Sequence, residues 1–242
     1  MHPIICKLGP IPIYSYGLML AIAVMAASWL TARDAEAKLG VKRENVYDLA
    51  FWVILSGIIG ARIFYIFLNL DYFFAAPLEV VMIQKGGLAW QGSLIAGFAA
   101  GIVFLKKNKI PLRKFLDVVA PYIALGHSIG RIGCLLNGCC YGKPAPWGLY
   151  FPVWDERLIP TQLFMSVGQI TIFLILRALQ PRAKYDGQVF VWYLMLSSIE
   201  RFTVEFFRAD HEVYWGLSIF QYVCIGLFVI ALAVNAKLLA KR

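Results

Sequence analysis

The chain has the composition of an integral membrane protein. Its 242 residues are 60% hydrophobic and only 15% charged, and the mean hydropathy is +0.69. Soluble domains carry about 25% charged residues, so this composition excludes an ordinary soluble enzyme. The net charge of +9 alone would be compatible with binding to nucleic acid, but the positions of the basic residues argue against that function.

Seven apolar segments are each about long enough to cross a bilayer. They occupy residues 11–31, 46–68, 88–105, 115–136, 161–179, 188–207 and 216–236. No connecting segment is long enough to form a second domain. We therefore predict an all-α, polytopic membrane protein whose single domain covers residues 1–242. The start of the chain lacks the basic region of a secretory signal, so we expect no cleaved signal peptide.

Basic residues are concentrated in alternate loops. Fifteen lie in one set: Arg33, Lys38, Lys42, Arg43, Lys106, Lys107, Lys109, Arg113, Lys114, Arg177, Arg182, Lys184, Lys237, Lys241 and Arg242. Only Lys7, Lys85, Lys143 and Arg157 lie in the other set. Because cytoplasmic loops are enriched in Lys and Arg, we predict an external N-terminus and a cytoplasmic C-terminus.

Charged residues lie within or at the ends of the second, fourth and sixth apolar segments. Five of them lead to a functional hypothesis: Arg62, Arg131, Arg201, Glu205 and Arg208. In the predicted orientation they lie at the middle or in the outer half of the membrane. Charged groups at this depth are costly and mark functional sites. We therefore predict a cationic cavity that opens toward the outer face and binds an anion, the nearest abundant one being a lipid phosphate.

Simpler interpretations of these residues remain open. Arg201 and Glu205 are spaced four apart, which also allows an ordinary ion pair on one helix face. Arg208, at the end of a segment, is placed to extend its charge toward water. Tyr14 and Tyr16 also fit the aromatic belt at a membrane surface.

The stretch GRIGCLLNGCCYG, residues 130–142, places Arg131 among glycines and cysteines. His127 lies one helical turn before Arg131 and is either a proton acceptor or a hydrogen-bonded core residue. His211 is expected in a solvated loop. For Cys134, Cys139 and Cys140 we expect small-residue packing, with or without one disulfide. Zinc lacks a paired C-x-x-C or histidine ligand set, and nothing indicates a reactive thiol.

Seven motifs in order resemble those of the prolipoprotein diacylglyceryl transferase family. They are PIYSYGL (residues 12–18), GAR (60–62), GGLAWQG (86–92), GRIGCLLNGCCYG (130–142), PTQLF (160–164), RFTVEFFR (201–208) and GLSIFQ (216–221). The third to sixth correspond to the family's Gly-Gly loop, its Gly-Arg-x-Gly-Asn signature, its Pro-x-Gln-Leu-Tyr run and its paired Arg and Glu.

The resemblance implies an enzyme of the bacterial inner membrane that carries out the first step of lipoprotein maturation. Its substrates would be phosphatidylglycerol and the signal peptide of a preprolipoprotein. The diacylglyceryl group would move to the thiol of the lipobox cysteine, forming a thioether and releasing glycerol phosphate. Neither a metal nor an organic cofactor is implied, and no nucleic-acid partner.

On the same resemblance, Arg131 and Arg201 would stabilise the departing phosphate, and Glu205 would hold Arg201. The substrate-binding residues would be Arg131 with Tyr16, Arg62, Gln91, Asn137, Gly142 and Arg208.

Four positions depart from the family pattern. Gln91 stands where well-known members have a histidine, Cys134 and Cys139 replace an asparagine and a glutamate, and Ser197 replaces a tyrosine. Glutamine cannot act as a base, so the base is either His127 or the lipid's own phosphate oxygens. A transporter or binding protein for an anionic lipid or solute is the alternative function.

Overall fold

The computed structural model describes residues 1–8, 11–82, 86–209 and 213–240. Lys85, His211, Lys241 and Arg242 therefore lie outside the described residues. Within the described part, the chain is mainly helical and forms two compact units. Unit 1 contains Met1–Thr31 and Leu116–Arg242, and unit 2 contains Ala32–Phe115.

Seven helices of at least 18 residues coincide with the seven predicted segments in the described part of the chain. They are α1 (Ser15–Leu39), α2 (Arg43–Leu68), α4 (Trp90–Lys107), α5 (Leu112–Asn137), α6 (Thr161–Leu179), α7 (Gln188–Glu205) and α8 (Ile219–Ala240). A short helix α3 (Leu70–Ala75) and a 3-10 turn (Pro77–Val81) follow α2. In the described ranges, five helices, α1, α2, α5, α6 and α8, are long and apolar enough to cross a membrane.

Among the described residues, three short antiparallel hairpins accompany the helices, and none of them was predicted from the sequence. They pair β1 (Ile4–Leu8) with β2 (Ile11–Tyr14), β3 (Pro144–Phe151) with β4 (Glu156–Leu158), and β5 (Val213–Tyr214) with β6 (Leu217–Ser218). Residues 11–14 and 216–218 were expected to be helical. Pro12 fixes its backbone angle and lacks an N–H donor, and Trp215 and Gly216 have positive φ angles of 53° and 87°, as a tight hairpin turn requires.

The core of unit 1 is formed where α5, α6 and α7 meet. Small residues of α5, Ala120 and Ala124, are fully buried against Ile172 and Leu176 of α6 and Val189 of α7. Asp117 of α5 also accepts hydrogen bonds from the backbone N–H groups of Gly187, at 2.6 Å, and Phe190, at 3.0 Å. A carboxylate at this position satisfies donors that the first turn of α7 leaves unpaired.

Unit 2 is organised around a close crossing of α2 and α4. A Cβ atom on Gly60 would lie 2.6 Å from the carbonyl oxygen of Gly92, so the two backbones are in direct contact. Both glycines belong to motifs singled out in the sequence. Their requirement here is one of close packing.

Candidate functional site

A cavity of about 520 Å³ in unit 1 brings together several of the predicted site residues. Tyr16 of α1 and His127 and Arg131 of α5 line it, with Cys134 and Cys140 at the same wall. Most of the remaining lining residues are apolar, so the cavity combines a cationic group with an apolar wall. This is the character expected of a site for an anionic headgroup attached to acyl chains.

Arg131 is held by one hydrogen bond and keeps its other donors available. Its Nε donates to His127 Nε2 at 3.1 Å. Among the described residues this is the only hydrogen bond that Arg131 makes. The terminal nitrogens of a guanidinium match two phosphate oxygens at once. Arg131 is therefore suited to binding an anion in the cavity.

The Nε2 atom of His127 is already an acceptor in this arrangement. Because Nε2 accepts the hydrogen bond from Arg131 Nε–H, this nitrogen carries no proton, the imidazole is neutral and the Nε2 lone pair is occupied. The contact favours the interpretation of His127 as a hydrogen-bonded residue over that as a proton acceptor. Its ring fixes the orientation of Arg131.

Glu205, the last residue of α7, contacts Arg201 of the same helix, Arg208 just beyond it and the hairpin before α8. Its Oε2 lies 2.7 Å from Arg201 Nη2 and 3.8 Å from Arg208 Nε. Its Oε1 accepts a hydrogen bond from Ser218 Oγ at 3.0 Å. The Arg201–Glu205 pair predicted from their spacing is present, and the fully buried Glu205 makes it part of a larger network.

Arg208 is buried, being only 8% exposed. The expectation that it extends its charge toward water is wrong, because its guanidinium turns back toward Glu205 instead.

Arg201 does not line the cavity but lies within electrostatic reach of Arg131. Apart from Glu205, it contacts Met165 Sδ at 3.8 Å and the ring of Phe220, 5.1 Å from the ring centroid. The charges of Arg131 and Arg201 act on each other. Two guanidinium groups that repel each other favour an anion between or beside them.

Gly142 and Asn137 contact protein groups. Gly142 pairs with Arg208 in an isolated β-bridge, and a Cβ on Gly142 would collide with the Phe207 carbonyl oxygen. The side chain of Asn137, the last residue of α5, lies close enough to the Cys139 thiol to influence it. Neither residue lines the cavity, and both maintain the polypeptide around it.

Arg62 and Gln91 belong to unit 2. The Arg62 guanidinium bonds to five backbone carbonyls, those of Glu79, Val80, Met82, Gly86 and Gly87. These contacts use all of its N–H donors, and the residue is 7% exposed.

Gln91 lies in the first turn of α4 and is half-buried.

Glu200, which precedes Arg201, was not among the site residues predicted from the sequence. Gln169 Nε2 of α6 donates to Glu200 Oε2 at 2.7 Å, and Oε1 is buried with no hydrogen-bond partner among the described residues. Arg131 and Arg201 act on it electrostatically. The available signal was an acidic residue within an apolar segment, which marks a functional site by default.

Cys134, Cys139 and Cys140 come together beside the cavity, with all three Sγ atoms within 4.8 Å of one another. All five cysteines of the chain lie in the described part, and all are free thiols. Hydrogen bonds from Cys134 and Cys139 hold the pKa of the Cys140 thiol below its ordinary value, and the charges of Arg131 and Arg208 lower it further.

Comparison with known proteins gives consistent results. A profile of the family described as prolipoprotein diacylglyceryl transferase matches residues 3–236. The chain is 33% identical over 238 residues to the phosphatidylglycerol–prolipoprotein diacylglyceryl transferases of Bacillus cereus, Bacillus anthracis and Bacillus thuringiensis subsp. konkukian, in alignments that cover 93% of this chain and 88% of each relative.

Proposed function

The chain belongs to the prolipoprotein diacylglyceryl transferase family, and we propose that its reaction takes place in the cavity lined by Tyr16, His127 and Arg131. The enzyme transfers the diacylglyceryl group of phosphatidylglycerol to a prolipoprotein. Membership in the family sets aside the transporter interpretation. This placement rests on one observation. The Arg131 guanidinium donates a single hydrogen bond, from Nε, among the described residues and lines a cavity with apolar walls.

The acceptor in this proposal is the lipobox cysteine in the signal peptide of the prolipoprotein. Its sulfur attacks the glyceryl carbon that carries the phosphate ester. The C–S bond forms as the C–O bond breaks, and the electron pair leaves with glycerol phosphate. Negative charge therefore builds on the departing phosphate, where a positioned guanidinium stabilises the transition state more than the ground state.

Arg131 makes the direct phosphate contact in this mechanism. Arg201 adds a second positive charge nearby, and Glu205 keeps Arg201 in place through the 2.7 Å ion pair. Fixed charges of this kind need no reorganisation when the reaction occurs. Tyr16 lines the same cavity and borders the headgroup.

His127 acts in our proposal as a positioning residue for Arg131. Its Nε2 lone pair is taken up by the Arg131 contact, so the thiol proton passes to a phosphate oxygen of the lipid. This follows the second of the two sequence-based alternatives for the base. Arg62 serves unit 2 by binding the carbonyls of Glu79, Val80, Gly86 and Gly87.

We place the enzyme in the bacterial inner membrane with seven spans, as a single functional domain. The N-terminus is external and the C-terminus cytoplasmic. Support comes from the asymmetry of the basic loops and from the long helices that coincide with all seven apolar segments. Both substrates are anchored in the membrane, so they enter laterally between helices.

The decisive experiment detects the covalent product. Purified protein is incubated with phosphatidylglycerol labelled in its acyl chains and with a lipobox peptide, and the peptide is analysed by mass spectrometry. We expect the peptide to gain a diacylglyceryl group on its cysteine, and a peptide with serine at that position to gain none. Lipid binding without a labelled peptide would contradict the assignment.

A separate experiment tests whether the reaction takes place in this cavity, by introducing a larger side chain into it. Gly130 lines the cavity, and a Cβ atom at that position would have no atom within 4 Å. A Gly130→Leu substitution should therefore fill the cavity and abolish transfer without unfolding the protein. Normal transfer by a folded Gly130→Leu enzyme would place the reaction elsewhere.

A further inference from the structure

Three cysteine side chains converge beside the cavity, and the transfer reaction uses none of them. Their sulfur atoms all lie within 4.8 Å of one another. Cys134 is buried, and Cys139 and Cys140 are half-buried. We propose that Cys134, Cys139 and Cys140 form a three-thiolate binding site for a single soft, thiophilic metal ion.

The end of α5 brings the first two thiols together. Cys139 N–H donates to the Cys134 carbonyl at 3.1 Å, and Gly138 N–H donates to the Leu135 carbonyl at 3.1 Å. Gly138 has a positive φ of 75°. This is the Schellman motif, which folds the residue after the glycine back onto the last helical turn. Apolar side chains usually meet across this motif, whereas two thiols meet here.

Three consecutive carbonyl groups fix the polypeptide after the helix. Trp154 Nε1 donates to the Gly138 carbonyl at 3.0 Å, Gln162 Nε2 to that of Cys139 at 2.6 Å, and Thr161 Oγ1 to that of Cys140 at 2.7 Å. Thr161 and Gln162 are 0% and 1% exposed. Two buried polar side chains at the start of α6 thus hold the backbone of both half-buried cysteines.

Cys140 adopts a left-handed conformation, with φ of 62°. For a residue other than glycine this conformation is strained and persists only where the surroundings enforce it. Here the Thr161 hydrogen bond holds the peptide at that residue. The backbone thus presents the third thiol to the other two.

The spacing suits a metal ion better than a disulfide. Thiolates bound to one zinc ion at about 2.3 Å lie about 4 Å apart, so the three sulfurs need to move by less than about 1 Å to bind. A disulfide would use two thiols and leave the third. Sulfur ligands favour Zn²⁺ and Cu⁺, and the negative charge of three thiolates is offset by Arg131 and Arg208, whose charges reach Cys140.

The test uses the purified, reduced full-length enzyme with Cd²⁺ as the probe. Cadmium bound to thiolates gives a charge-transfer absorption in the ultraviolet, and Zn²⁺ should displace it. We expect one Cd²⁺ per chain in the wild type. Cys139→Ser and Cys140→Ser should each lose most of the band, whereas Cys6→Ser and Cys224→Ser should keep it.

A fourth variant tests the backbone arrangement without removing a thiol. Thr161→Val deletes the hydroxyl that holds the Cys140 carbonyl, and we expect Cd²⁺ binding to weaken by about fivefold to tenfold. Gel filtration and thermal melting establish whether each variant is folded. If the serine variants do not fold, weaker Cd²⁺ binding by Thr161→Val is the test of the site.

Three results would each overturn the proposal. The first is a wild-type enzyme with five reactive thiols that gives no Cd²⁺ band. The second is a Cd²⁺ band that survives in folded Cys139→Ser. The third is a disulfide between two cysteines of the cluster, found by thiol counting and peptide mapping of protein isolated without reductant and without air.

Discussion

At the residue scale, the site depends on how each charged side chain uses its hydrogen-bond donors. Arg131 and Arg62 are both arginines within apolar segments, and hydropathy does not distinguish them. Arg131 makes one hydrogen bond, to His127, within the described chain. Arg62 instead bonds to five carbonyls. Of these two arginines, therefore, only Arg131 has donors available to bind a ligand.

Replacing Arg131 by lysine should lose most activity although the charge is retained. Lysine cannot donate to His127 and bind two phosphate oxygens together. One contact to a developing oxyanion is worth about 10²–10³ in rate, so we expect a loss of this size in initial rates of transfer. Arg131→Gln should lose at least as much.

Arg157→Gln is the matched control for Arg131. Arg157 is an exposed residue that donates to the Gly148 carbonyl of its own hairpin at 3.3 Å, and its replacement should have little effect. Near-normal rates for Arg131→Lys, at equal amounts of enzyme in the membrane, would move the phosphate contact to Arg201.

Substitutions of His127 should separate a positioning role from that of a base. The Oε1 of glutamine can replace Nε2 as the acceptor for Arg131, whereas leucine offers none. A hydrogen bond to a charged group is worth about 1.5–3 kcal/mol, so His127→Leu should lose about tenfold to a hundredfold in rate. His127→Gln should keep most activity and an unchanged pH–rate profile. Equal losses in both variants, with an altered profile, would make His127 the base.

At the element scale, the ends of helices decide the local geometry. Glu205 at the end of α7 binds Arg201, and its Oε1 accepts from Ser218 in the hairpin before α8. Gly142 lies against the Phe207 carbonyl and next to Thr161, which begins α6. A change at these junctions therefore affects residues of several elements at once.

Gly142→Ala should destabilise the protein and reduce transfer. The new Cβ would lie 2.8 Å from both Ile159 Cβ and Thr161 Cγ2 and would collide with the Phe207 carbonyl. Overpacking of this kind costs about 1–3 kcal/mol, which should lower the melting temperature in detergent. Gly226→Ala in α8 is the control, because a Cβ there has no atom within 4 Å. Equal melting of the two variants would contradict the contact.

At the scale of the whole molecule, the distribution of basic residues determines the expected orientation. Fifteen Lys and Arg residues lie in one set of loops and four in the other. The proposed site lies toward the outer leaflet only if the C-terminus is cytoplasmic. Orientation and mechanism can therefore be tested together.

A reporter that is active only in the periplasm measures this orientation. Fused after Arg242 it should be silent, and fused after Asn69, following the second apolar segment, it should be active. The physical reason is the retention of Lys and Arg in cytoplasmic loops. Strong activity of the C-terminal fusion would reverse the orientation and remove the argument for an outward-facing site.

Much of the architecture was accessible from sequence because hydropathy is a sum over neighbouring residues. Seven apolar segments predicted the seven long helices, and motifs in chain order predicted the family. The hairpin at residues 11–14 was missed because these residues begin an apolar segment. Their pairing with residues 4–8 shows that the backbone is extended there.

The sequence by itself determined the class of protein and the family, and it predicted Arg131 as a site residue. Only the tertiary structure decided which polar groups meet. The carbonyls that bind Arg62 lie 17 to 25 residues away along the chain. The side chains of Thr161 and Gln162, which donate to the carbonyls of Cys140 and Cys139, lie 21 and 23 residues away. Periodicity and hydropathy report on local environment, whereas the pairing of donors and acceptors depends on backbone carbonyls that folding brings together.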